Sequence, residues 1–116
     1  MVQIKRAYEP PEKSDGMRIL VDRVWPRGIK KEKLQTKLWM KEAAPTDELR
    51  KWFAHDPKKW EEFRKRYLKE LERPEAREML HEIARTAKKG TVTLVYSARD
   101  ESHNQAVVLK QAIDAL

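Results

Sequence analysis

Two short apolar runs constrain the architecture of this chain most, because both read as buried strands and both are closed by residues that stop a strand. Thr91–Tyr96 consists wholly of strand formers, with Gly90 before it and the polar loop Ser97–Glu101 after it. Met17–Val24 opens as Met-Arg-Ile-Leu-Val, and Pro26 with Gly28 ends it where the polar groups begin. Val2–Tyr8 alternates loosely and predicts a first strand closed by the loop Glu9–Gly16. Lys30–Leu34 predicts a short helical turn, and Leu38–Met40 a short further strand.

Helical patterns fill the middle and the end. Thr46 reads as the N-cap of a helix of about two turns ending near His55, with Leu49, Trp52 and Phe53 on one face. Asp56-Pro57 restarts helix, and Trp60, Phe63, Tyr67 and Leu71 form its apolar stripe. Pro74 opens another helix, striped by Ala76, Met79, Leu80, Ile83 and Ala87 and stopped at Gly90. Ser102 and Gln105 have capping-box spacing for a last helix that buries Ala106, Leu109, Ile113 and Leu116. Strand, helices, strand and helix in that order predict an α/β fold. It is one small domain over residues 1–116, with a three- to four-stranded, mostly parallel sheet packed with four to five helices.

Composition excludes several classes of function. The chain has no cysteine, which removes disulfides, thiolate nucleophiles and cysteine-ligated metals. His55, His81 and His103 lie too far apart for a metal-ligand pair at helical spacing, so no metal is expected. No apolar run reaches ~18 residues and Met-Val-Gln-Ile-Lys-Arg lacks the core of a secretion signal, so the expected location is the cytoplasm, away from membranes. The 39% charged content, rich in Glu, Lys and Arg, is a balance seen in heat-tolerant proteins. A net charge of +7 favours anionic partners, whether nucleotides, phosphorylated metabolites or nucleic acid.

If Met17–Val24 and Thr91–Tyr96 are parallel neighbours, their carboxyl ends bring Asp22–Arg27 beside Ser97–Asp100, at the edge where open α/β sheets bind ligands. The expected ligand is a small anion, phosphate or nucleotide-like, between loops 22–28 and 97–104. Arg23, Arg27 and Arg99 would hold it, because guanidinium forks suit phosphate and carboxylate. Trp25 and Tyr96 would wall the pocket, Ser97 and Asp100 would be among its ligand-binding residues, and Asn104 would reach back from the helix. The free amides at that helix start favour anions as well. No cofactor is indicated.

Asp22 is the candidate general base. Such a base needs burial or like charge to lift its pKa, whereas adjacent arginines push it down, and that conflict argues against catalysis. The plainer alternative is that Asp22 pairs with an arginine and ties the loops together. Ser97 has only His103 nearby as an activating base, and nothing visibly orients it. His55 reads as a helix-end residue. The runner-up function is a nucleic-acid-binding or regulatory interaction module, and +7 alone predicts weak, sequence-independent binding. On Lys58–Arg73 the interleaved glutamates make a solvated surface, with no nucleic-acid-binding signature. A single basic face would favour that function, and scattered ion pairs would favour the pocket.

Four strings, Asp22-Arg23-Val24-Trp25-Pro26-Arg27-Gly28, Leu38-Trp39-Met40-Lys41-Glu42-Ala43-Ala44-Pro45, Leu49-Arg50-Lys51-Trp52-Phe53-Ala54-His55-Asp56 and Val92-Thr93-Leu94-Val95-Tyr96-Ser97-Ala98-Arg99-Asp100, jointly resemble the YeaO-like family, domain of unknown function 488. The resemblance covers nearly the whole chain. It implies a small prokaryotic cytosolic α/β domain and no established activity. Other branches of that family carry a cysteine-containing loop where this chain has Ser97-Ala98-Arg99-Asp100, so chemistry that depends on the cysteine is absent here.

Overall fold

A computed structural model describes residues 1–116. Strands β1 (Val2–Arg6), β2 (Met17–Leu20), β3 (Leu38–Trp39) and β4 (Val92–Tyr96) form one sheet in the order β1-β4-β2-β3, and every pairing is parallel. Five helices complete the expected α/β domain: α1 (Lys31–Leu34), α2 (Asp47–Phe53), α3 (Trp60–Glu70), α4 (Pro74–Lys89) and α5 (Gln105–Asp114). The two apolar runs are indeed neighbours, with Ile19 opposite Leu94 and Leu20 opposite Val95. β4 lies between β1 and β2, and all five of its residues are buried, which is why its sequence shows no polar alternation.

The sheet has unlike faces. On one, Ile19, Val21, Leu94 and Tyr96 join the main core with Phe63, Tyr67, Leu80, Ile83 and Leu109 from the helices. On the other, Leu20 and Val95 meet Ala7 and Leu34, and Trp25 and Ile29 pack against this small cluster. Here lies also a buried ion pair the sequence did not announce. The Arg18 guanidinium donates to the Asp15 carboxylate at 2.6 Å and to the Leu34 carbonyl, while Lys5 reaches Asp15 at 3.1 Å.

Several expected boundaries shift for identifiable reasons. β2 stops at Leu20 rather than Val24; the Val21 amide still bonds the Val95 carbonyl, after which Asp22 turns toward the loop following β4. β1 stops at Arg6 rather than Tyr8, because the Glu9 carboxylate accepts from the Arg6 amide and closes a turn. α5 is capped by Asn104, whose side chain accepts from the Val107 amide, and not by Ser102. The Ser102 and His103 amides are already taken by the Asp100 carboxylate, which holds those residues in the loop. Trp60 is only half-buried, so Phe63 and Tyr67 carry the α3 stripe, and Leu116 is exposed. The caps at Thr46 and Asp56 form as expected, and Glu70 pins Thr46 through both its amide and its hydroxyl. No helix is long and apolar enough to cross a membrane.

Candidate functional site

A cavity of about 100 Å³ opens at the carboxyl edge of the sheet, between the loop after β2, the loop after β4 and the end of α2. Asp22 sits in its wall, only 7% exposed. One carboxylate oxygen accepts from the Ser97 amide at 3.0 Å, and the other accepts from the side-chain amide of Gln105, the first residue of α5. Asp22 therefore ties the two loops together, but through neutral donors instead of an arginine. Arg23 turns to backbone, its Nε donating to the Pro45 carbonyl at 2.8 Å and its fork to Ala44. No arginine donates to the Asp22 carboxylate. Burial pushes its carboxyl up, and the Ser97 and Gln105 hydrogen bonds and the nearby His55 offset this only in part.

His55 reaches the cavity through unusual backbone. Ala54 and His55 both adopt left-handed conformations, φ 47° and 58°, at about 1–2 kcal/mol each. The Ala54 amide closes the last turn of α2 on the Arg50 carbonyl, and the double reversal then leads the chain to Asp56, which caps the next turn. Phe53 stacks on Phe63 at 4.2 Å, and both rings line the cavity. Arg50 lines it too, from the exposed face of α2. Strained non-glycine residues cluster where surrounding structure over-determines them, often at functional sites.

The structure brings Asp22, Arg23, Ser97 and Asn104 together on this cavity. It does not bring the other expected residues there. Trp25 donates its indole N–H to the Ile29 carbonyl at 2.6 Å and meets Trp39 edge-on, packing on the opposite face of the sheet. Tyr96 is core, 2% exposed, with burial pushing its phenol up. Arg27 and Arg99 are exposed and do not line the cavity, and Asp100 organises its own loop. Asp100 also orients His103, contrary to expectation, through an Nδ1 contact of 2.9 Å. The His103 ring stands edge-on to Trp60 and does not line the cavity that Ser97 lines, so no nucleophile–base pair forms. No group of three or more His, Cys, Asp or Glu is placed to hold a metal ion.

Arg50, His55 and Gln105 line the cavity, and sequence pattern does not single them out as site residues. Arg50 looks like any charge on a helix surface. An Ala-His pair carries no turn signal of the Gly or Asn kind, and Gln105 stands at capping-box spacing from the wrong residue.

The family described as the inactive DUF488-N3 subclade matches residues 1–116. The chain belongs to this YeaO-like DUF488 family. It is similar to "Uncharacterized protein YeaO" of Escherichia coli K12, 46% identical over 115 residues that cover 99% of this chain and 98% of the relative. "Uncharacterized protein Rv3073c" of Mycobacterium tuberculosis H37Rv is 38% identical over 113 residues, covering 97% and 93%. "Uncharacterized protein Mb3100c" of Mycobacterium bovis matches to the same extent. No solved structure matches the chain. DUF488 is a family of unknown function, and membership assigns no reaction.

Proposed function

We propose that this domain binds a small anion, a phosphate or carboxylate group, in the cavity beside Asp22, and that it performs no chemistry on it. The observation that carries this reading is that two arginines from separate elements, Arg23 after β2 and Arg50 on α2, line one small cavity with His55 at its side; Arg23 commits Nε and one Nη to the Pro45 and Ala44 carbonyls and keeps its other Nη. The start of α5, at Gln105, adds the favourable end of a helix dipole. Arg50 pairs with Asp47 at 3.1 Å, but both are exposed and such a pair contributes little, so the arginine is free to turn inward. Asp22 keeps its negative charge when ionised, because both its donors are neutral, so Arg23 and Arg50 must outweigh it for an anion to bind; its own task is to hold the two loops.

Size decides how much of a ligand enters. Sites for drug-sized ligands occupy some 300–1,000 Å³, so about 100 Å³ accommodates a phosphate-sized group and leaves a nucleoside, if attached, outside. The absence of a cysteine in the loop after β4 and the description of the family as inactive both favour binding over catalysis. Phosphorylated metabolites are cytoplasmic, and a domain that binds them belongs in the same compartment. Calorimetric titration with inorganic phosphate and with a nucleoside monophosphate at low salt tests the reading. Both should bind, and Arg50→Ala should weaken them by about tenfold or more, the worth of one charge-assisted hydrogen bond. Equal binding by parent and variant would refute it.

A further inference from the structure

Five of the seven net positive charges lie in residues 27–41, which hold Arg27, Lys30, Lys31, Lys33, Lys37 and Lys41 against Glu32 alone. None of these six cations forms an ion pair, whereas Arg50, Arg66 and Lys110 each pair with a carboxylate three or four residues away. Net positive charge is therefore concentrated around α1, whereas the rest of the chain sets 20 lysines and arginines against 18 carboxylates.

The surface around α1 also carries exposed rings. Tyr8 is 48% exposed and Trp39 36%. Two shallow grooves flank α1. One, of about 600 Å³, is lined by Tyr8, Lys30 and Lys33; the other, of about 500 Å³, is lined by Trp25, Lys31, Lys37 and Trp39. The rings are held in place, because the Trp39 indole donates to the Asp22 carbonyl at 2.7 Å and the Tyr8 hydroxyl to the Arg27 carbonyl at 2.9 Å. Cations already lie over them, with Lys41 Nζ 4.0 Å from the Trp39 centroid and the Arg6 guanidinium 5.3 Å from that of Tyr8.

A partner for this face must offer several negative charges and flat apolar surfaces between them. We propose that the α1 face, from Tyr8 to Trp39, binds single-stranded nucleic acid, with Lys31, Lys37 and Lys41 on phosphates and Trp39 stacking on a base. Unpaired bases offer both features at once, and fixed aromatic platforms beside lysines are how sequence-tolerant single-strand binding is built. A duplex would present phosphates and leave the rings unused. An anionic bilayer would need rings free to insert, and these are tied by their polar ends. The proposal is independent of the anion cavity, which shares none of the lining residues of these two grooves.

Fluorescence anisotropy with a labelled oligothymidylate of about 20 nucleotides, run beside a duplex and phosphatidylserine vesicles, tests it. The single strand should bind best, quench tryptophan fluorescence and weaken with salt. Lys31→Glu with Lys37→Glu should flatten the salt slope by roughly 0.7 for each phosphate no longer neutralised. Trp39→Ala should weaken binding by about tenfold. Lys65→Glu with Lys69→Glu on α3 makes the same change in net charge at exposed positions and should have a much smaller effect. Should Trp39→Ala fail to fold, the surface double variant carries the test alone. The proposal is overturned if the α3 control weakens binding as much, if the duplex binds as well as the single strand, or if only vesicles bind.

Discussion

Asp22 is a buried carboxylate with two neutral donors, and replacing it in two ways separates its geometry from its charge. Asp22→Ala removes the acceptor for the Ser97 amide and for the Gln105 side chain. Hydrogen bonds to a charged group contribute about 1.5–3 kcal/mol each, so the gross loss is about 3–6 kcal/mol. Part returns, because the carboxylate no longer has to be desolvated and the adjoining cavity lets water reach the freed donors. A net loss of about 2–3 kcal/mol remains. In a domain of this size that lowers Tm by roughly 10–15 °C. Asp22→Asn keeps an acceptor for Ser97, and its new N–H₂ can donate to Gln105 once that amide turns over. It should melt close to the parent at neutral pH.

The pH dependence carries a sign. The folded-state pKa of Asp22 is raised by burial, so the folded chain holds the proton in a window where the unfolded chain has lost it. The stability this confers is complete below the ordinary aspartate value of about 3.9 and is lost as pH rises through the folded value. Asp22→Asn lacks that loss, so its Tm relative to the parent should climb as pH increases across that window. Thermal melts of the three proteins from about pH 4 to 7 are the assay. An alanine variant within about 2 °C of the parent, or an asparagine variant as damaged as alanine, would refute the reasoning.

Two further predictions concern scaffold. A Cβ on Gly16, at φ +63°, would stand 2.1 Å from the Thr91 carbonyl oxygen, a backbone atom that cannot step aside, so Gly16→Ala should unfold or severely destabilise the domain. Gly28 has φ +79° with open space around it, so Gly28→Ala should cost only about 1 kcal/mol of backbone strain in a denaturant melt. Asp15 behaves oppositely to Asp22. Burial pushes its carboxyl up, but hydrogen bonds from the Glu12 amide, Lys5 and Arg18 more than reverse this and leave it lowered. Its stabilisation is present above the ordinary aspartate value and is lost as pH falls through the folded one. Asp15→Asn should therefore cost about 3–5 kcal/mol at neutral pH, as breaking a buried pair does, and flatten the acid side of the Tm profile.

Apolar pattern makes the sheet and its neighbours legible. Met17–Leu20 and Val92–Tyr96 announce themselves as buried strands, and Thr46, Asp56 and Pro74 mark helix starts with the chemistry a start requires. Strand ends are less legible, because Asp22 and Glu9 end their strands through long-range or turn contacts and not through breaker residues. The cap of α5 is misread from sequence because Ser102 and Asn104 both suit a cap, and only the claim of Asp100 on the Ser102 amide decides between them. At the site, adjacency of the two loops follows from strand pairing, which brings Asp22 to Ser97. Which side of the loop each residue faces does not follow, so pattern groups Trp25 and Arg27 with Arg23 although the turn sends them elsewhere. His55 arrives through two left-handed residues that carry no glycine, and Arg50 through the placement of α2, neither of which one-dimensional pattern encodes.

The central claim is that the cavity beside Asp22 binds a small anion. An amide-resolved NMR titration with inorganic phosphate at constant low ionic strength tests it most directly. Saturable shift changes should concentrate at Arg23, His55, Ser97 and Gln105, which line the cavity, and in Arg50→Ala should need about tenfold or more phosphate to reach the same extent. Changes confined to the lysine-rich stretch 27–41, or no saturable change at all, would contradict it.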